Sequence, residues 1–244
     1  MLKRYYGPMM TTTLVLLLLS MLCSLMLGSV SLSISDTVNA LMGRASQSEL
    51  AHSIIWQIRL PRLLCAVLVG SGLAISGAIL QNASRNPLAD PYLFGLMAGA
   101  GLGATLVSVI LPPQLVSMAL GAFAGALFAV ALVFAVCAGQ QWRKVELTLL
   151  AGVAVSFMLS AISSFILYFA EPFAANRIMF WLMGSLSRTD WYSVILLAPI
   201  TLLVLLLALA LRRQLDALLL SDDSARTLGV NTLRLRLVLL LATA

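Results

Sequence analysis

The sequence predicts an all-α, polytopic helical membrane protein with six complete spans and the start of a seventh, and three observations predict it. The chain is 61% hydrophobic and only 10% charged, against about 25% charged in an ordinary soluble domain. A soluble fold of 244 residues with that composition would lack the polar surface to stay dissolved. The apolar residues fall in runs of about 20, the length that crosses a hydrocarbon core of about 30 Å at about 1.5 Å per residue. The charges gather between those runs and not inside them.

The first span is Met9 to Leu27, preceded by Lys3 and Arg4. A basic start before an apolar stretch also suits a signal peptide. This run is long for that role and no A-x-A site follows Gly28, so the helix is expected to be retained. Ser29 to Ile55 reads as a polar connection, with Asp36, Arg44, Glu49 and the only histidine, His52, as a solvated loop residue. The second span is Leu63 to about Leu80, within 22 charge-free residues from Leu63 to Ser84. Its ends are distinctive: Arg59-Leu60-Pro61-Arg62 on one side and the turn Asn86-Pro87-Leu88-Ala89-Asp90-Pro91 on the other.

The third span runs from Tyr92 to Leu111 and is broken by Pro112-Pro113; the fourth is Leu115 to Ala138. A basic turn, Gln141-Trp142-Arg143-Lys144, leads to the fifth, Leu147 to Ala170. The connection Glu171 to Asp190 is long enough for a short surface helix. The sixth span, Trp191 to Leu211, ends at Arg212-Arg213, and the polar segment Gln214 to Arg236 follows. Leu237 to Ala244 is eight residues, too few to span, which predicts a chain that stops inside a seventh helix.

Lysines and arginines set the orientation. With the N-terminus in the cytoplasm, the inner segments hold ten of them and the outer segments five (Arg44, Arg59, Arg62, Arg177, Arg188), as the positive-inside rule requires. That rule accounts for the net charge of +6 without nucleic acid as a partner. Trp56, Trp181 and Trp191 then fall at the outer interface and Trp142 at the inner one.

The motifs exclude several chemistries. No GxxxxGK[ST] occurs, so the chain does not itself cradle a nucleotide phosphate. No span interior carries Asp, Glu, Lys, Arg or His, where a proton-coupled pump would place them. Nothing in the spans supplies a base for a catalytic nucleophile, and the cysteines, Cys23, Cys65 and Cys137, lie in three different runs with no metal-ligand spacing. Energy for any work must come from a partner. Glycines at four-residue spacing (Gly95, Gly99, Gly103; Gly121, Gly125) read as close internal helix packing in lipid. Ser221 is a good N-cap, Asp222 and Asp223 suit the first turn of a helix, and Gly229 suits its stop, giving a short polar helix between the sixth and seventh spans.

Taken in order, WQIRLPR (Trp56 to Arg62), GLAISGAILQ (Gly72 to Gln81), NPLADPYLFG (Asn86 to Gly95), LLAGVA (Leu149 to Ala154), MFWLMGSL (Met179 to Leu186) with Asp190-Trp191, and ARTLGVN (Ala225 to Asn231) resemble the FecCD-type permease subunits of binding-protein-dependent ABC importers. Those carry iron–siderophore chelates, haem or vitamin B12. The resemblance covers Trp56 to the end and implies one permease domain over 1–244, part of a fold of about ten helices, in the bacterial plasma membrane. It implies a second permease copy or close paralogue, ABC ATPase subunits that bind ATP and magnesium on the inside, and a periplasmic or surface-anchored substrate-binding protein outside. No catalytic residue, metal or cofactor is implied in this chain.

Residue by residue, the resemblance gives Arg59 and Arg62 to acidic groups of the binding protein. It gives Ser221, Asp222, Asp223, Arg226 and Gly229, within a cytoplasmic segment 214–236, to coupling with the ATPase. Lys144, Val145 and Glu146 fall at a cytoplasmic gate. The fifth span would line the path, offering Ser156, Ser160, Ser163 and Ser164. On the residues alone other readings stay open: the arginine pair as a simple interfacial anchor, and the chain as a secondary transporter, a passive channel or a non-transporting remnant.

Overall fold

The computed structural model describes residues 3–43, 49–110, 115–137, 145–220 and 222–243. All regular structure among them is helical, as apolar runs in hydrocarbon require: a helix satisfies every backbone N–H and C=O from within the segment. Five helical stretches are long and apolar enough to cross a membrane, Tyr6–Met26, Glu49–Ser84, Met118–Val136, Leu147–Phe169 and Trp191–Ala210. A sixth apolar helix, Leu96–Ile110, is shorter. The chain divides into two units, Met1–Ser71 with Leu186–Thr201, and Gly72–Ser185 with Leu202–Ala244.

The first unit contains α1 (Lys3–Met26), α2 (Ile34–Leu41), α3 (Glu49–Ser53), a π-helical turn Ile54–Arg59, and the opening turns of α4 (Leu60–Ser84) and α9 (Trp191–Ala210). α1 leaves Leu14, Leu16, Leu18 and Leu22 exposed, as a lipid-facing helix must. The polar connection is more ordered than expected. Ser33 caps α2 by accepting the Asp36 N–H at 3.1 Å. His52 stands exposed on α3, its ring 6.1 Å from that of Trp56, and not in a loop.

The second span also departs from expectation. It is helical without interruption from Glu49 to Ser84, so Arg59, Pro61 and Arg62 lie inside it and not ahead of it. Proline lacks an N–H, and its ring crowds the carbonyl four residues back, here that of Gln57. The π turn answers this: the Leu60 N–H bonds the Ile55 carbonyl, one residue farther than α spacing, which widens the helix just before the proline. A residue pattern that reads as a helix end is here a helix defect.

The second unit holds the last turns of α4 and α9, a 3₁₀ turn Pro91–Phe94, α5 (Leu96–Ile110), α6 (Leu115–Val136), α7 (Val145–Phe169), α8 (Pro172–Leu182), α10 (Arg212–Leu218), α11 (Asp222–Thr227) and α12 (Thr232–Thr243). α5 packs against both α6 and α7. Its glycines meet those of α6 backbone to backbone: a Cβ on Gly99 would sit 2.3 Å from the Gly125 carbonyl oxygen, and one on Gly103 would sit 1.9 Å from that of Gly121. Gly99, Gly103, Gly121 and Gly125 are therefore spent on an internal α5–α6 seam, whereas Gly95 of the same spacing faces α7.

The third span is corrected as well. Tyr92 to Phe94 belong to the 3₁₀ turn, and Gly95, with φ 77° in the left-handed region, separates that turn from α5. α5 has 15 residues, about 22 Å of rise, less than the hydrocarbon thickness. The irregular backbone is tolerated because it is packed in protein: Phe94 and Leu96 are buried in one cluster with Leu80, Ala126 and Val130. α8 is the short helix expected between the fifth and sixth spans. Its Arg177 donates to the Ser108 carbonyl at 3.1 Å and Oγ at 2.9 Å, satisfying an acceptor in the last turn of α5.

Candidate functional site

The structure separates the two arginines of the RLPR motif. Arg59 is buried, and its guanidinium donates to the carbonyls of Leu25, in the last turn of α1, and of Val30 just beyond. The last carbonyls of a helix have no partner within it, and a planar, always-charged fork suits a pair of them. Gly28 leaves room for it, since a Cβ there would lie 2.9 Å from Arg59 Nη2. Arg59 is thus a brace between α1 and the second span.

Arg62, three residues on, is exposed. It donates from Nε to the Leu186 carbonyl at 3.1 Å and from Nη2 to the Ser187 carbonyl at 2.8 Å. These bonds hold the loop that precedes α9, and next in that loop is Arg188, exposed and with no partner among the described residues. Asp190 closes the loop as the N-cap of α9, accepting the Ser193 N–H at 2.9 Å and hydroxyl at 2.8 Å. Those Ser193 bonds hold its carboxyl below the usual carboxylate range, so it is ionised at neutral pH. Trp191 stacks on Trp56, with ring centroids 6.2 Å apart, and donates Nε1–H to the Trp56 carbonyl at 2.8 Å. The result is a fixed surface carrying two guanidiniums, Arg62 and Arg188. Sequence reasoning counted Arg188 among the outer cations but gave it no role; its place beside the GSL segment and the α9 cap was the available signal.

In the second unit, the turn after α4 has a clear structural function. Asn86 Oδ1 accepts the Leu88 N–H at 2.9 Å, and Asp90 Oδ1 accepts the Leu93 N–H at 3.1 Å to start the 3₁₀ turn. Arg85, the only non-glycine residue with positive φ among those described, reaches from Nε to the Leu218 carbonyl at the end of α10. Arg236 of α12 reaches from Nε to the Ala83 carbonyl at 3.2 Å. Each arginine thus satisfies a terminal carbonyl of the other's neighbouring helix. Ile79 and Ala83 of α4, Leu215 and Leu218 of α10, and Leu235 and Leu239 of α12 bury one cluster between them.

The 3₁₀ turn in turn lies on α7. The Ser156 hydroxyl donates to the Tyr92 carbonyl at 2.9 Å, and a Cβ on Gly152 would sit 2.0 Å from the Leu93 carbonyl oxygen. Ser163 is also inward, buried and 3.1 Å from Thr105 Oγ1 of α5. Ser160 and Ser164, by contrast, lie on an exposed face of α7 with Phe157, Phe165 and Tyr168. The four serines are therefore two packing residues and two exposed ones. Lys144 lies outside the described residues, and Val145 and Glu146 are described only as the first backbone turn of α7.

The polar segment contains the short helix expected and runs on into the first turns of α12. Ser221 lies outside the described residues, and α11 runs Asp222–Thr227. Its C-terminus is a Schellman motif: the Val230 N–H bonds the Ala225 carbonyl at 3.1 Å and the Gly229 N–H bonds that of Arg226 at 2.9 Å, with Gly229 at φ 81°. Ala225 is fully buried and Arg226 exposed, so the helix is tied down on one side and presents polar groups on the other. Among the described residues no three metal-ligating side chains come together.

Residues 16–244 match the FecCD transport family. The chain is 37% identical over 236 residues to the hemin transport system permease protein HmuU of Yersinia pestis, covering 93% of this chain and 69% of that protein. It is 39% identical over 232 residues to the vitamin B12 import system permease protein BtuC of Shigella boydii, covering 94% of this chain and 67% of that protein. The Fe(3+) dicitrate transport system permease protein FecC of Escherichia coli is 33% identical over 237 residues, covering 96% and 70%. A solved structure described as an inward-facing conformation of a metal-chelate type ABC transporter superposes with a TM-score of 0.83 at 29% identity, over 98% of this chain and 73% of that one. The chain spans about two thirds of the length of these relatives.

Proposed function

The chain belongs to the FecCD transport family, and from that premise we propose that it is the permease subunit of an ATP-driven, binding-protein-dependent importer in the bacterial plasma membrane. Its cargo class is an iron chelate, as siderophore or haem, or the related corrinoid vitamin B12. The observation that carries the reading is the family match over residues 16–244, supported by relatives named for hemin, Fe(3+) dicitrate and vitamin B12 transport. ATP is hydrolysed in a separate nucleotide-binding subunit, and the chain acts with a second permease copy or close paralogue.

The N-terminus is cytoplasmic on this reading, by the excess of arginine and lysine on that side. Arg62 and Arg188 then face outward and receive carboxylates of the binding protein, while Arg59 holds the helix that carries Arg62. The exposed face of α7, with Ser160 and Ser164 among aromatic groups, lines the path for a large chelate that needs few specific contacts. α11 transmits the movement of the ATPase. Its buried Ala225 and its packing on α10 and α12 seat it, and the Arg85 and Arg236 ties join α10 and α12 to the end of α4, so a push on it reaches the spans.

The docking role is tested by measuring stimulation of ATPase activity by the loaded binding protein in proteoliposomes. Arg62→Glu with Arg188→Glu is expected to lower stimulation at least tenfold and to reverse its salt dependence, because a cationic rim steers an acidic partner. Stimulation and salt dependence equal to wild type would remove docking from this surface.

A further inference from the structure

α9 ends its apolar run at Ala210, and the next apolar run opens at Leu237 within α12; by the positive-inside rule the arginine-rich residues between them belong at one face of the membrane. Within the second unit, α10 and α12 border a cavity of about 560 Å³. Its walls are of two kinds. Leu211 and Val238 adjoin the apolar runs, whereas Arg213 and Gln214 of α10, and Asn231 and Arg234 at the start of α12, are polar. No carboxylate is among the described residues that line it. The Arg234 backbone N–H bonds Asn231 Oδ1 at 3.1 Å, but neither the Arg213 nor the Arg234 guanidinium has a partner among the described residues. The same unit uses Arg85 and Arg236 as braces on helix-end carbonyls. Arg213 and Arg234 are left facing a cavity.

Two free guanidiniums beside an apolar wall, at the level where a spanning helix leaves the bilayer, are complementary to a phosphodiester that carries acyl chains. Guanidinium binds phosphate oxygens in paired N–H bonds, acyl chain cover Leu211 and Val238, and basic clefts between helices at the membrane surface hold anionic headgroups. We propose that this cleft is a binding site for the headgroup of an anionic membrane phospholipid, which bridges α10 and α12 on either side of α11. The proposal needs only that the chain is embedded in a bilayer; because Gly229, the stop of α11, also lines the cleft, the site adjoins the segment proposed to meet the ATPase, and the test uses the chain alone so that lipid binding is read separately from coupling.

The full chain, without ATPase or cargo, is reconstituted in phosphatidylcholine vesicles, and its association with spin-labelled phosphatidylglycerol is measured. The expected result is selectivity for phosphatidylglycerol over a phosphatidylcholine probe. It should fall about fivefold for Arg213→Gln or Arg234→Gln and about 25-fold for the pair. Both side chains are exposed, so the fold is expected to tolerate the changes. Val238→Trp, which narrows the apolar side of the cavity with both arginines intact, is expected to weaken the selectivity too. Arg212→Gln, which changes an adjacent arginine that does not line the cavity, is expected to leave it within twofold. The proposal is overturned if Arg212→Gln loses as much as Arg213→Gln, if Val238→Trp keeps full selectivity, or if wild type shows none. Displacement of the lipid by soluble glycerol phosphate at equal concentration would overturn it in favour of a free-phosphate site.

Discussion

Gly103→Ala is expected to cost at least about 3 kcal/mol and to deplete assembled protein severely, although it adds one methyl group. That methyl would lie 1.9 Å from the Gly121 carbonyl oxygen, which is backbone and cannot rotate away. α5 and α6 would have to part by more than an ångström along the seam, losing the close backbone contact that drives helix association in lipid. The figure is the upper end of the usual overpacking penalty, chosen because no flexible atom can yield. Gly101→Ala is the control on the same helix: its added carbon would meet only the Leu182 side chain at 3.5 Å, an ordinary contact, and should be neutral. Thermal midpoint and monodisperse yield after detergent extraction check the pair. Equal behaviour of the two variants would contradict the seam.

Arg59→Met is expected to destabilise the protein by about 3 kcal/mol, from two charge-assisted bonds lost at the lower end of their range. The Leu25 and Val30 carbonyls lose their donor, and the end of α1 loosens. Hydrogen exchange over residues 25–30 should accelerate by at least tenfold, with an intermediate effect for Arg59→Lys, which keeps the charge but not the planar fork. Arg62→Met should change stability little, because its bonds are exposed. Unchanged exchange over 25–30 in Arg59→Met would sink the bracing role.

The contrast between Arg59 and Arg62 shows how far the sequence is legible. The spans follow from hydrophobicity, because hydrocarbon leaves the backbone almost no alternative to a helix. α11 and its stop follow from local chemistry at Asp222, Asp223 and Gly229, which needs no tertiary information. Which way an arginine beside a span points depends on what lies next to it. Arg59 meets carbonyls more than 25 residues away in the chain, and no local pattern encodes that. Pro61 reads as a helix boundary because the usual cost of an internal proline is high; the π turn removes that cost, and π turns have no simple residue signature.

The third span carried its own warning. Asp90-Pro91 and Gly95 are a cap, a start and a stop within six residues, but the surrounding hydrophobicity reads straight through them. The serines of α7 have the same lesson in another form. Period alone gives Ser156, Ser160, Ser163 and Ser164 equal standing, and only the positions of Tyr92 and Thr105 separate the two that pack from the two that stay exposed. The glycine spacing pointed correctly to close packing, while its partner helix emerged only from the α5–α6 contact.

The central claim is that this chain moves a chelate by work done in a partner ATPase. The direct measurement is uptake of labelled ferric siderophore, haem or vitamin B12 into proteoliposomes containing the full chain, its nucleotide-binding subunits and the matching binding protein. Uptake of one of these cargoes is expected to require ATP hydrolysis and the binding protein, and to be indifferent to collapse of proton and sodium gradients. Uptake driven by either gradient in vesicles without the ATPase would contradict it.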